Sequence, residues 1–229
     1  MPLAFAVDSA RTVTCALYEE LLRWAGTKPR AWGRYLGEGG GAAAPLTQGE
    51  VAFLHQQDVG ILLVFNDVDR QRLLTRRNGE DAATLAVGEA RALDAPTGVG
   101  VYADIERGWP VTSEWLIGWA QAVAAAGFVT GAYLMLSDPS VQRTMAAMRS
   151  REPVLTAHLA LWTARWLHEV EWVTMRDGRI STPRWLPLSP SEDATQVGVW
   201  QFAGPSCNKT VDLDLVDPNA EPKPALWLP

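Results

Sequence analysis

The sequence has few cysteines and no excess of basic residues. Only two cysteines occur among 229 residues, which excludes a disulfide-rich scaffold. Cys15 and Cys207 are either two free thiols or one disulfide, and their spacing does not decide between these. Lysine and arginine number 20 against 26 acidic residues, giving a net charge of −6. A nucleic-acid partner is therefore not expected, because such proteins need a basic surface.

Long apolar runs and the common motifs of metal and nucleotide sites are also missing. No run approaches the roughly 18 apolar residues of a membrane-spanning helix, so we expect no membrane span. Met1–Asp8 lacks the basic and apolar regions of a signal peptide, so localisation stays open: a non-classical route out of the cell, a missing leader, or retention inside it. With no Walker loop, HExxH or CxxC, and no metal-ligand spacing among the three histidines, we expect neither metal nor cofactor.

Short apolar runs alternate with amphipathic stretches along most of the chain. The predicted strands of this part are Ala4–Val7, Trp32–Leu36, Ile61–Asn66, Gly98–Glu106, Phe128–Leu136 and Leu159–Thr163. The predicted helices between them are Thr12–Trp24, Thr47–Gln57, Gly79–Leu93, Thr112–Ala126 and Pro139–Met148, and Thr47 with Glu50 has the spacing of a capping box. Such βα alternation indicates a parallel sheet.

The last third of the chain contains strand patterns but no helical ones. Val170–Met175, Val197–Phe202 and Val211–Leu215 are predicted strands, and the short link at Gly204 makes the last two antiparallel. An open dinucleotide-binding sheet would need GxGxxG after the first strand, and that motif is absent. We therefore predict a single-domain α/β protein, a short TIM-barrel-like (β/α)5(β)3 barrel over residues 1–216. Residues 217–229 form a proline-rich tail expected to pack on the surface.

Acidic and amide side chains stand at the predicted strand ends, where α/β barrels place their active sites. They are Asp8, Asn66, Asp67, Asp104, Glu106, Asp212 and Asp214. Asp104 and Glu106 share one face of the fourth strand, and their mutual repulsion raises the pKa of one of them. A protonated acid beside an ionised one is what cleavage of a glycosidic bond requires. The alternative is a strand-end pair satisfied by arginines such as Arg34 or Arg107.

Aromatic side chains near the same strand ends are candidates for sugar binding. The sequence has 11 tryptophans, and aromatic faces stack on the apolar faces of sugar rings. The candidate binding residues are Trp162 and Trp200 in late strands, Trp109 after Glu106, and Tyr35 and Arg34 on the second strand. Packing in the core is the alternative for these side chains.

These residues belong to segments that resemble the family-25 glycoside hydrolases, the lysozyme-type muramidases, and still more a bacterial glycoside hydrolase-like family of related domains. The motifs shared with the latter are FAVDSA (Phe5–Ala10), WGRYLG (Trp32–Gly37), LTQGEVAFLHQQDVGILLVFND (Leu46–Asp67) and the segment Gly79–Glu106. The muramidase motifs are the ADIE that ends this segment, LWTARW (Leu161–Trp166), VWQF (Val199–Phe202) and VDLDL (Val211–Leu215). Nearly the whole chain is covered.

The resemblance implies the same short barrel and a role for each acid. Glu106 matches the general acid, and Asp104 its partner, as nucleophile or as the group that orients the substrate N-acetyl group. Asp8 matches the first-strand acid of the cleft. Asp212 matches the last-strand acid, with Asp214 as the second choice because the strand ends in VDLD instead of a VDxN-like sequence.

Three functions are compatible with these patterns. The first is a glycosidase that hydrolyses β-1,4 bonds of an N-acetylated glycan, with peptidoglycan as the expected polymer. The second is a catalytically silent glycan-binding module on the same barrel. The third is an interaction protein whose acids are only salt-bridged.

Overall fold

The computed structural model describes residues 2–41, 43–166, 175–176, 179–180, 182–187, 197–207 and 210–229. The strands are β1 Ala4–Ser9, β2 Ala31–Tyr35, β3 Gly60–Phe65, β4 Gly100–Ile105, β5 Val129–Leu134, β6 Ala160–Ala164, β7 Met175–Arg176, β8 Arg179–Ile180, β9 Val197–Ser206 and β10 Val211–Val216. The helices are α1 Cys15–Ala25, α2 Gln48–Gln56, α3 Arg76–Ala92, α4 Ser113–Ala125, α5 Pro139–Arg151 and α6 Pro153–Ala157.

Eight of these strands close into a barrel in the order β1-β10-β9-β6-β5-β4-β3-β2. β1 to β6 run parallel to one another, β9 is parallel to β6, and β10 is antiparallel to both β9 and β1. The predicted α/β barrel of five βα units followed by three strands is confirmed. The predicted strand Val170–Met175 lies outside the described residues except for Met175, which begins β7 of a small antiparallel sheet of two strands, β7 and β8.

The five helices that follow strands begin at a threonine or aspartate N-cap. Thr14, Thr47, Thr75, Thr112 and Asp138 each accept a hydrogen bond from a backbone N–H in the first helical turn. The predicted capping box at Thr47 is half formed. The Glu50 side chain turns away from the cap, because it is drawn into a buried ion pair described below.

Two layers of apolar side chains fill the fold. The layer inside the barrel consists of Ala6, Ala31, Leu62, Val64, Tyr102, Ala160, Trp162, Val199 and Val216. A larger layer lies between the outer face of the barrel and the helices. Successive side chains of a strand point alternately into the barrel and out towards the helices, so each strand contributes to both layers. The same alternation determines which polar residues face the barrel interior.

The C-terminal tail closes the N-terminal end of the barrel. Trp227 exchanges two backbone hydrogen bonds of 2.9 Å with Ile61, and the Gly100 amide donates to the Ala225 carbonyl at 2.7 Å. Trp227 is only 8% exposed, and Leu226 packs on the interior layer. The tail is thus part of the packed fold and not a surface appendage, because apolar side chains inside the barrel need a cover at that end.

Two further expectations concern a disulfide between the two cysteines and a membrane-spanning helix. Cys15 is exposed and Cys207 buried, and both thiols are free, so the alternative of a disulfide between them is wrong. Within the described residues, no helix has the length and apolar character needed to cross a membrane.

Candidate active site

A cleft of about 260 Å³ opens at the C-terminal ends of the barrel strands. Its wall includes all four acids predicted to be catalytic, namely Asp8, Asp104, Glu106 and Asp212. Asp8 on β1 and Asp212 on β10 are direct cross-strand partners. Asp104 lies near the end of β4 opposite Tyr133 of β5, and Glu106 follows β4 directly. Acids from three strands that are far apart in the sequence, β1, β4 and β10, therefore meet at one mouth of the barrel.

Burial raises the pKa of three of these carboxyls. The pKa of Asp8 rises to about 6 through burial, partly offset by hydrogen bonds from Gln201 and Asp214. Burial, helped by the charges of Asp8 and Glu106, raises the pKa of Asp212 to about 8. The pKa of Asp104 is raised well above its usual range by burial and by the charges of Glu106 and Asp8. At neutral pH the cleft therefore holds protons as well as negative charge.

Asp214 lies beneath this cluster, where no water reaches it. Its Oδ1 accepts a hydrogen bond of 3.1 Å from Trp162 Nε1, while Oδ2 has no N–H or hydroxyl donor among the described residues. Burial and the charge of Asp8 raise the pKa of Asp214 well above the usual range, and a hydrogen bond couples the two acids. A hydrogen bond between two carboxyl groups requires a proton on one of them, and because this bond lowers the pKa of Asp8 and raises that of Asp214, Asp214 is the donor. Asp214 thus supports the cleft from below and, against the expectation for a binding residue, does not line it.

Gln201 of β9 connects the acids to the aromatic side chains of the cleft. Its Nε2 donates to Asp8 Oδ2 and to Asp212 Oδ2, both at 3.1 Å. Its Oε1 accepts from Tyr133 Oη at 3.0 Å and from Trp166 Nε1 at 3.2 Å. The four bonds fix the orientation of the amide, because the carboxylates require the nitrogen on their side and the two donors require the oxygen. Sequence reasoning missed this residue, although it lies in the VWQF motif.

Two of the predicted binding residues face away from the cleft. Trp200 is fully buried on the outer side of the barrel, where Nε1 donates to the Arg165 carbonyl at 3.1 Å and the ring meets Trp185 edge to face. Arg34 is also fully buried on the outer side, with its Nε 2.5 Å from Glu50 Oε1. The expectation that these two side chains reach the cleft is wrong, because strand alternation turns them outward while their neighbours Tyr35 and Gln201 turn inward.

Arg34 has a structural task at this outer position. Besides Glu50, its guanidinium donates to the carbonyls of Ser9 at 2.6 Å and Ala44 at 2.9 Å. Glu50 Oε1 also accepts from the Val13 amide at 2.8 Å. This buried network joins the ends of β1 and β2 to the start of α2. No ion pair in the described part of the chain involves the four cleft acids, so the alternative that arginines such as Arg34 or Arg107 satisfy them is not what the structure shows.

Of the remaining predicted binding residues, two line the cleft and two lie outside it. Tyr35 and Trp162 line the cleft, but Trp162 is 2% exposed and forms its floor, edge to face with Tyr102 and Tyr133. Asn66 and Trp109 do not line it.

Asn66 and Trp109 have other contacts. Asn66 Oδ1 accepts from the Gly37 amide at 3.2 Å, which helps to hold the loop after β2, and Trp109 is half-buried against the outer layer. Trp166, two residues after the end of β6, was not predicted to bind, but it lines the cleft and is 57% exposed.

A glycine opposite the acids makes room for this arrangement. A Cβ atom at Gly33 of β2 would lie 2.6 Å from Trp162 Cη2 and 2.7 Å from Asp8 Cβ. The inward position of β2 below Tyr35 must therefore be empty for Trp162 and Asp8 to fill the barrel. Among the described residues, no three histidine, cysteine or acidic side chains are arranged to hold a metal ion together.

The sequence profile of a family described as the Rv2525c-like, glycoside hydrolase-like domain matches residues 23–220. No curated protein matched the sequence. Among solved structures, an uncharacterized protein of B. stearothermophilus is 26% identical, with a TM-score of 0.82 over 93% of this chain and 96% of that one.

Two further structures share the fold at 12% identity. GHIP, described as a glycosyl hydrolase 25 and virulence factor of Streptococcus pneumoniae, has a TM-score of 0.57 over 99% of this chain and 94% of its own. The modular autolysin LytC of Streptococcus pneumoniae, solved with a synthetic peptidoglycan ligand, has a TM-score of 0.54 over 93% of this chain and 46% of its own. The predicted barrel and the predicted resemblance are thereby confirmed.

Proposed function

The chain belongs to the Rv2525c-like, glycoside hydrolase-like domain family, and from this membership we propose that it is a glycosidase that cleaves β-1,4 bonds of an N-acetylated glycan. The observation that carries the proposal is the meeting of Asp8, Asp104, Glu106 and Asp212 in one cleft at the C-terminal ends of the strands. Glycoside hydrolysis needs two carboxyl groups in different protonation states on either side of the scissile bond. A cleft with several carboxyls of raised pKa supplies that choice.

Within this proposal Glu106 delivers the proton to the leaving oxygen. It is the exposed acid of the cleft, placed just beyond β4 where a bound chain would cross the mouth of the barrel. The donated proton neutralises the leaving oxygen as the bond to the anomeric carbon breaks, and water completes the reaction.

Asp104 is the partner of Glu106 on the same face of the chain. Its raised pKa favours the protonated form, which can donate a hydrogen bond to a carbonyl oxygen such as that of an N-acetyl group. In this role it orients the substrate. Acting instead as nucleophile, it would first have to lose that proton. Asp8 and Asp212 form the opposite wall, bridged by Gln201.

Peptidoglycan is the proposed polymer. Its support is the shared barrel of the autolysin solved with a synthetic peptidoglycan ligand, and the glycosyl hydrolase 25 description of the second Streptococcus pneumoniae structure. Both descriptions refer to the Streptococcus pneumoniae proteins. That this chain acts on the same polymer is our proposal, and the assay below tests it.

The test is the release of new reducing ends from purified peptidoglycan and from chitin oligomers. We expect release by the wild type and a loss of about 10²–10⁴-fold in Glu106→Gln, which is the usual contribution of a general acid. Glu19→Gln on the surface of α1 is the matched control and should retain full activity. Equal activity in Glu106→Gln would refute the assignment of the acid. Binding of the glycans without any release would instead identify a non-catalytic glycan-binding module.

A further inference from the structure

Trp166 is an exposed tryptophan held rigidly at the edge of the acidic cleft. Its side chain lines the cleft and is 57% exposed. Among the tryptophans that the structure describes, the others are buried or half-buried. Leaving so large an apolar ring in water forgoes the free energy of burying it, which is about 25 cal/mol for each Å² of apolar surface. A ring in this state is therefore ready to accept a partner.

Two contacts fix the position of the ring. One face packs against the backbone of β9 at Gly204, where an added Cβ atom would lie 3.2–3.4 Å from ring atoms of Trp166. The ring nitrogen donates to Gln201 Oε1 at 3.2 Å. The ring thus cannot rotate into the cleft or away from it without losing a hydrogen bond and a packed face.

The same glutamine ties the ring to the acids. The Gln201 amide that accepts from Trp166 also donates to Asp8 and Asp212 at 3.1 Å. The ring is consequently placed at a fixed separation from two carboxyl groups, through one rigid planar group. A flat apolar surface beside carboxyls that accept hydrogen bonds from hydroxyl groups matches the two sides of a pyranose ring.

We propose that Trp166 forms a sugar-stacking subsite on the β6–β9 side of the cleft, for a pyranose unit of a glycan chain, and that Gln201 fixes this subsite relative to the acids. The proposal rests on the proposed function for the identity of the ligand as a glycan. It adds where the chain lies and which residue holds it. The bound sugar stacks on the free face of the ring and extends from there towards Glu106.

The experiment measures binding separately from turnover. Isothermal titration of the Glu106→Gln protein with chitotetraose and with soluble peptidoglycan fragments gives the reference Kd. We expect Trp166→Ala in the same background to weaken binding about tenfold or more, and Trp166→Phe to weaken it less because an aromatic face remains. Trp24→Ala, at the far end of α1, is the matched control and should leave the Kd unchanged. The melting temperature of each variant is measured alongside.

The outcomes distinguish this subsite from the proposed reaction. An unchanged Kd in Trp166→Ala, with hydrolysis by the wild type intact, would overturn the subsite and leave the glycosidase standing. Weakened binding in Trp166→Ala, with no reducing ends released by the wild type, would support the subsite and refute the glycosidase. Failure of the Glu106→Gln protein to bind either saccharide would overturn the subsite.

Discussion

Gln201 is hydrogen-bonded to two carboxyls of the cleft and lowers the pKa of one of them, Asp8. Its two N–H groups are shared between Asp8 and Asp212, and its oxygen is occupied by Tyr133 and Trp166. The hydrogen bond to Asp8 favours the ionised form of that acid and opposes the effect of burial on its pKa. A residue of β9 thus contacts an acid of β1 and an acid of β10 at the same time.

Replacing Gln201 with leucine should shift the titration of Asp8. Without the donated hydrogen bond, the pKa of Asp8 should rise above its present value of about 6, because burial then acts unopposed by that bond. Carbon-13 NMR of the labelled aspartate carboxyls measures the midpoint directly. Tyr133→Phe is the control, since it removes a bond to the glutamine oxygen and keeps both donated bonds. A midpoint that stays at about 6 in Gln201→Leu would contradict this account.

The acids of the cleft were predictable from the sequence, whereas the inward or outward direction of several neighbours was not. Strand ends and alternation placed Asp8, Asp104 and Asp212 correctly at the cleft. Arg34 and Trp200 were misplaced because each stands next to an inward residue, and adjacent residues on a strand face opposite sides. Arg34 and Tyr35 could not both reach the cleft on this rule. The same alternation on β9 means that, if Trp200 faces outward, its neighbour Gln201 faces the cleft.

Trp166 and Asp214 show what a single sequence leaves undetermined at this scale. Trp166 follows its strand instead of lying within it, so alternation does not predict its direction. Asp214 shares its strand face with Asp212, but its depth below the cleft depends on how far β10 extends past the barrel mouth. Only the register of β10 against β1 settles that depth.

At the level of elements, the pairing of α3 with α4 depends on two glycines. A Cβ atom at Gly79 of α3 would lie far inside van der Waals contact with the Trp115 carbonyl oxygen of α4. One at Gly118 of α4 would meet the Arg76 carbonyl oxygen in the same way. The helix over Gly79–Leu93 was predicted. The glycine contact with α4 was not, because a glycine in a helix signals close approach without identifying the neighbour.

Gly79→Ala and Gly88→Ala should have opposite effects on stability, although both lie in α3. Alanine is favoured over glycine in a helix by about 1 kcal/mol, and an added Cβ at exposed Gly88 meets nothing within 4 Å. Gly88→Ala should therefore raise the free energy of unfolding by up to about 1 kcal/mol. At Gly79 the added methyl group forces the two helices apart. This overpacking costs about 1–3 kcal/mol, which exceeds the gain in helix propensity. Urea denaturation of both variants tests this, and stabilisation by Gly79→Ala would show that the helices are not in backbone contact.

At the scale of the whole molecule, the barrel concentrates buried acids at one end and closes the other with the tail. The closed barrel was predictable because βα alternation, the absence of a dinucleotide motif and the helix-poor last third left few topologies. The closure by Trp227 was not, since a short proline-rich segment carries no periodic pattern. The buried acids have a global consequence, because raised pKa values mean that the folded state binds more protons than the unfolded chain.

The protein should consequently be more stable at pH 5 than at pH 8. The pKa values of Asp8 and Asp212 are about 6 and 8 in the folded state, against 3.8 for an ordinary aspartate. Stability contributed by their protonation is complete below about pH 4 and is lost as the pH rises through 6 and 8. The melting temperature should fall by several degrees over this range, at about 2–4 °C for each kcal/mol.

Asp214→Asn should reduce the fall of the melting temperature between pH 5 and pH 8, since it removes one buried acid and the proton it shares with Asp8. Asp58→Asn, at an exposed acid whose pKa is lowered by Lys28, is the control and should leave the fall between pH 5 and pH 8 unchanged. A melting temperature that rises from pH 5 to pH 8 in the wild type would contradict the assignment of protonated acids to the cleft.

The central claim is that the acidic cleft hydrolyses a glycosidic bond, and digestion of purified peptidoglycan in water enriched in oxygen-18 tests it most directly. Hydrolysis places one oxygen from water on the anomeric carbon of each new reducing end. Mass spectrometry of the soluble fragments should therefore show one added oxygen-18 per cleavage with the wild type and none with Glu106→Gln. Fragments that carry no label, or equal labelling by both proteins, would contradict the account.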